Sequence, residues 1–255
     1  MQTFAKASFF LNLWGRKINK KRRQLDMKRF SGMLLLVVLA CCQVFAQDKQ
    51  LSLNDFFVTG TFRTQGVQGL RSMNDGEHYT VVEGGGKRIV KYSYKTGLPV
   101  GELIDLSKIE NCPIQYIEDY TFNANESRLL ICTNIRPIYR RSFTADYYIY
   151  DFKNKEIKPL SEGGSQQLAT FSPDGLRIAF VRNNNLFIHD LRFGSERQIT
   201  SDGKFNHIIN GAPDWVYEEE FTFNRAFEWA PDGSALAYIK FDESEVREFQ
   251  MNMFE

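Results

Sequence analysis

An all-β chain of stacked four-stranded sheets, a partial β-propeller, is the fold class this 255-residue sequence predicts. Three observations carry it. Four segments resemble one another, their starts recur at nearly constant spacing, and each couples a tight-turn dipeptide to alternating apolar residues. The segments are SMNDGEHYTVV (72–82), FNANESRLLIC (122–132), FSPDGLRIAFV (171–181) and WAPDGSALAYI (229–239), with starts separated by 50, 49 and 58 residues. A period near 50 residues made of about four short strands is the signature of a propeller blade.

Within each repeat the elements follow in order. The turn centre is Asp-Gly three times and Asn-Glu once; Asp-Gly suits a tight hairpin because Gly takes positive φ without steric cost. The alternating apolar stretch after it reads as a strand. NNNLFIHDLRFGSERQIT (183–200) and DYYIYDFKNKEIKPLS (146–161) then each supply a strand, an Asp, a polar turn and a last strand. IVKYSYKTGLPVGELI (89–104) repeats that shape without the Asp. A single four-stranded blade cannot bury both its faces, so blades must stack; a β-sandwich would not predict self-similarity at fixed spacing. Three full blades and the opening of a fourth, about three and a half, are expected. Propellers close with about four to eight, so a truncated propeller is the expectation.

The first 46 residues read as a separate segment, an N-terminal extension plus signal peptide. Met27 reads as the start, Lys28 and Arg29 form a charged region, and an apolar run extends from Met33 to about Cys42. Val44-Phe45-Ala46 offers small-residue cleavage before Gln47. The run falls short of the ~20 residues that a spanning helix needs. An exported, periplasmic or secreted protein is therefore expected, with a lipoprotein signal through Val38-Leu39-Ala40-Cys41 as the alternative. Residues 47–255 then form the folded part.

That part is mildly acidic: it holds 23 Lys and Arg against 30 Asp and Glu. The balance argues against nucleic acid as a partner. Cys112 and Cys132 remain after the leader; a disulfide and two small buried thiols are both open readings. The three histidines (78, 189, 207) stand far apart without ligand spacing, so neither a metal nor another cofactor is expected. The EGGG at 83–86 lacks the Lys-Ser/Thr of a phosphate loop and reads as a blade loop.

The third interval is the long one, and GAPDWVYEEEF (211–221) lies inside it. The three glutamates thus sit on an insertion between blades, the kind of position where function concentrates. By composition alone they read as a solvated acidic turn. The octet DWVYEEEF (214–221) resembles the glutamate motif of the dipeptidyl peptidase IV family, prolyl oligopeptidase-type serine peptidases, in its N-terminal β-propeller region. YRRSFTADYYIYD (139–151), FSPDGLRIAFVRNNNLFI (171–188) and FDESEVREF (241–249) resemble further stretches of that family. The likeness covers most of residues 51–255.

The resemblance implies that Glu219 and Glu220 bind the free N-terminal ammonium of a peptide substrate, and that Arg140 contacts a substrate backbone carbonyl beside them. Asp214, Trp215, Tyr217 and Glu218 complete the motif, with Trp215 and Tyr217 expected to anchor the insertion by burial. It also implies release of N-terminal X-Pro or X-Ala dipeptides by a full-length enzyme, and a homodimer when full-length. The catalytic Ser, Asp and His would come from a C-terminal α/β-hydrolase domain. This chain contains no Gly-x-Ser-x-Gly nucleophile elbow, so inactivity of the chain alone is expected. A non-enzymatic propeller that binds peptides or proteins is the alternative, and a tripeptide-releasing relative is a further one.

Overall fold

The computed structural model describes residues 51–249 apart from 65, 67 and 68; the proposed extension and signal peptide at 1–46 lie outside the described residues. The chain divides into two compact units, residues 1–65 and 66–255. In the first, a short helix α1 (Leu53–Phe57) starts on a capping box, the Ser52 and Asp55 side chains each bonding the other's backbone N–H.

The second unit is built of antiparallel sheets in sequence order. The first holds β1 (Arg71–Ser72), β2 (His78–Glu83), β3 (Arg88–Ser93) and β4 (Pro99–Asp105). The second holds β5 (Asp119–Phe122), β6 (Arg128–Pro137), β7 (Phe143–Asp151) and β8 (Glu156–Pro159). The third holds β9 (Gln167–Phe171), β10 (Arg177–Arg182), β11 (Asn185–Asp190) and β12 (Ser195–Gln198). In each, every strand pairs with its chain neighbour, the order of a propeller blade.

The repeat seen in the sequence reappears as one hydrogen-bond pattern. Met73, Asn123, Ser172 and Ala230 each donate a backbone N–H to the carbonyl five residues on, and each accepts from the N–H three residues on. That third residue is Gly76, Gly175 and Gly233 at φ near 70°, and Glu126 at φ 55° in the second repeat. Glycine stands there because the turn needs the left-handed region. Glu126 takes it without that freedom, and its carboxylate accepts the Asn74 N–H at 2.6 Å, a bond to the neighbouring blade.

Stacking explains the unbroken apolar runs in the second strands of the second and third sheets, Leu129–Cys132 of β6 and Ile178–Val181 of β10. In β6, Leu129 and Ile131 face the first sheet, in a core with Ile89, Ile104, Leu106 and Tyr120. Leu130 and Cys132, the alternate residues, face the third sheet and pack with Ile178, Phe180 and Phe187. The same happens one sheet later: Ala179 and Val181 of β10 turn to Phe227 and Trp229. Because strand side chains alternate, a run buried on both faces is what a middle blade requires.

After the third sheet come β13 (Ile208–Asn210), a helix α2 (Trp215–Phe221), β14 (Phe227–Trp229), β15 (Leu236–Tyr238) and β16 (Lys240–Asp242). β13 pairs with β16 and β14 with β15. The predicted insertion, read at 211–221, lies in a longer loop, residues 212–225, pinched at its neck. Ala226 donates to the Gly211 carbonyl at 2.9 Å, and Gly211 donates to that of Ile239 at 3.1 Å. Gly211 has φ 79°, and a Cβ there would lie 2.7 Å from the Leu186 side chain, so only glycine fits the neck. Cys112 and Cys132 are free thiols in this fold, not bonded to each other.

Candidate functional site

Two elements meet at the site. One is the turn Ile138–Ser142 at the tip of the β6–β7 hairpin, whose strands of 10 and 9 residues are the longest among those described. Their length carries the tip past the body of the blade. The Ile138 N–H closes the turn on the Ser142 carbonyl at 2.9 Å. The other element is α2. Asp214 caps it, its carboxylate accepting the Tyr217 N–H at 2.9 Å, and Thr222 ends it in the left-handed region. A glutamate run that reads as a solvated turn becomes a short helix because a cap starts it and the neck closes it.

A helix turns about 100° per residue, so the three glutamates point three ways. Glu218 points inward and is 1% exposed. Its Oε1 accepts two consecutive backbone N–H groups from the hairpin tip, Arg141 at 2.7 Å and Ser142 at 2.9 Å. Glu219 is half-buried and meets Arg140, with Nη2 2.8 Å from Oε1. Glu220 is exposed. Thus the structure brings Arg140 and Glu219 together, and leaves Glu220 beside them facing solvent.

The expected anchoring by aromatics needs correction. Trp215 is 52% exposed and no core cluster contains it. Tyr217 is also exposed, although its ring packs on Phe221, Phe223 and Phe241. The buried anchor of the motif is the carboxylate of Glu218. Burial of a charge is tolerated where hydrogen bonds replace its water, and the two tip N–H groups do so. Asn224, which the sequence did not single out, adds a second tie: its Nδ2 donates to the Arg141 carbonyl at 3.0 Å.

The surroundings are acidic. Burial, followed by the charge of Asp214, pushes the Glu243 carboxyl above its usual range. The Tyr139 hydroxyl is pushed up by burial and then by the charges of Glu243, Glu218 and Asp214. The tip thus stands near the charges of Glu243, Glu218 and Asp214, with Glu219 paired to Arg140. Among the described residues no group of three or more His, Cys, Asp or Glu side chains could hold a metal ion.

Comparison with known proteins gives the family. The family model of the dipeptidyl peptidase IV N-terminal region matches residues 123–255, which include the hairpin tip and α2. A "Probable dipeptidyl peptidase 4" of Aspergillus fumigatus is 42% identical over 133 residues, 51% of this chain and 17% of that protein. One of Aspergillus flavus is 33% identical over 215 residues, 81% of this chain and 26% of that protein. The crystal structure of Porphyromonas gingivalis dipeptidyl peptidase 4 superposes with TM-score 0.75 at 41% identity, covering 82% of this chain and 30% of that one. The chain thus spans less than a third of the length of these relatives. With its four-stranded sheets, its helical glutamate motif and the match over residues 123–255, the chain belongs to the dipeptidyl peptidase IV N-terminal region family.

Proposed function

We propose that this chain supplies the amine-binding part of an exported dipeptidyl peptidase, and that Glu219, Glu220 and Arg140 hold the N-terminus of the peptide. The observation that carries the reading is the Arg140–Glu219 pair at 2.8 Å with Glu220 exposed next to it on the same helix. A peptide α-amino group has a pKa of about 7.7–8.0 and is mostly charged at pH 7. A carboxylate about 4 Å away attracts it by about 4 kcal/mol at an effective dielectric near 20, before desolvation. Its three N–H donors can bond ionised acceptors, while the Arg140 guanidinium offers donors to the first carbonyl of the peptide.

Such a clamp measures length. A residue extends at most about 3.3–3.6 Å, so an ammonium held at a fixed distance from a nucleophile places one bond, two residues in, in register. The nucleophile would be the serine of an α/β-hydrolase unit, activated by His and oriented by Asp. Export is supported by the charged-then-apolar pattern of residues 27–46. The partner is then a peptide with a free N-terminus.

Two experiments test the reading. Sequencing the gene beyond the codon for Glu255 should reveal Gly-x-Ser-x-Gly followed by Asp and His; further propeller repeats and a stop would favour a non-enzymatic peptide binder. The complete gene product should cleave Ala-Pro-p-nitroanilide and leave the N-acetylated compound intact. Equal cleavage of the two would overturn the amine clamp.

A further inference from the structure

We propose that Glu218 is the positioning residue of the amine clamp: its buried carboxylate holds the Ile138–Ser142 turn and so sets where the Arg140 guanidinium stands. The inference rests on the clamp reading above and extends it to a glutamate that touches no substrate.

The bonds themselves define the constraint. The Arg141 N–H belongs to the peptide unit that joins Arg140 to Arg141, so the 2.7 Å bond to Glu218 fixes the plane attached to the Arg140 Cα. The Ser142 N–H, at 2.9 Å from the same oxygen, fixes the next plane. Asn224 takes the carbonyl of that second plane at 3.0 Å. Within the turn, the Ile138 and Tyr139 N–H groups both go to the Ser142 carbonyl, at 2.9 and 3.3 Å. None of these internal bonds orients the peptide unit of Arg140. That task falls to Glu218, across 77 residues of sequence.

The two halves of the clamp also share a backbone. Glu218 grips the turn, and Glu219, the next residue of α2, meets the Arg140 side chain that the turn presents. Arg140 is 70% exposed, so burial does not hold its side chain in place. Without the Glu218 bonds the tip would keep its hairpin but lose its alignment with α2. Small misplacements of this kind, on the order of 1 Å, can cost about a hundredfold in a positioned reaction.

The test uses the complete gene product and calorimetric titration with Ala-Pro, whose free amine and first carbonyl are the groups the clamp would hold, against N-acetyl-Ala-Pro. Glu218→Ala should weaken Ala-Pro binding about tenfold or more. Glu218→Gln, which keeps an acceptor oxygen for both N–H groups, should restore most of it. In an Arg140→Ala background Glu218→Ala should add nothing, because residues acting through one another are not additive. Should Glu218→Ala fail to fold, Asn224→Ala loosens the same turn and should show the same coupling to Arg140. A loss of equal size in both backgrounds, or Gln as damaging as Ala, would overturn the positioning role while leaving the clamp intact. A wild-type protein that bound the free and acetylated dipeptides equally would overturn the clamp, and the positioning role with it.

Discussion

Removing one carboxylate at a time should reveal an asymmetry between Glu219 and Glu220. With both ionised and Arg140 in place, these three groups sum to one negative charge, and a peptide ammonium neutralises it. After Glu219→Gln the sum is zero, and Arg140 is left unpaired where its partner stood 2.8 Å away. It then repels the incoming amine. Glu219 is 24% exposed, and a hydrogen bond to a charged group in such a setting is worth about 1.5–3 kcal/mol. That is about 10- to 150-fold in affinity. Glu220 is exposed, and exposed pairs contribute about 0.2–1 kcal/mol, so Glu220→Gln should cost less than about fivefold. Titration with Ala-Pro at low and high salt measures both. Screening acts on exposed charges first, so salt should erode the Glu220 contribution more than that of Glu219. A neutral Glu219→Gln, or a Glu220→Gln loss exceeding it, would refute the assignment of the stronger contact to the half-buried carboxylate.

Three further outcomes follow from the body of the fold. Phe180 is fully buried and its ring stacks on Phe187 at 5.4 Å between the second and third sheets. Phe180→Ala should cost about 3–5 kcal/mol in denaturant unfolding, and Phe193→Ala, on an exposed ring, close to nothing; similar costs would argue against the stacked core. Burial lowers the His189 pKa below its usual 6.5, with Glu196 and Asp190 opposing only in part. A neutral, half-buried imidazole contributes stability above pH 6.5 that is lost as pH falls through the lowered folded value. The melting temperature should therefore fall between pH 7 and 5.5, and less so in His189→Leu; identical slopes would contradict it. Burial pushes the Cys132 thiol up to about 12, so iodoacetamide at pH 8 should label the half-buried Cys112 first, as read by mass spectrometry. Equal labelling would place Cys132 outside the core.

The blades were legible because their turns demand a residue type. Gly76, Gly175 and Gly233 sit where φ is positive, and the apolar runs of β6 and β10 follow from burial on two faces. The insertion was legible as a lengthened interval, and the structure pinches it off at Gly211 and Ala226. Its helix was not, since seven residues are too few for a helical period to stand out. Nor was the burial of Glu218. Its partners are backbone N–H groups 76 and 77 residues away, and backbone donors leave no trace in residue identity. The same blindness made Trp215 and Tyr217 look like the anchors: large aromatics are mostly buried, but these two are exposed, while the tip holds the carboxylate of Glu218.

The most direct measurement is a crystal structure of the complete gene product with Ala-Pro bound. The dipeptide ammonium is expected within about 2.7–2.9 Å of carboxylate oxygens of both Glu219 and Glu220, with the Arg140 guanidinium on the first carbonyl. A dipeptide whose amine faces bulk water, or lies against another part of the sheets, would contradict the account at its root.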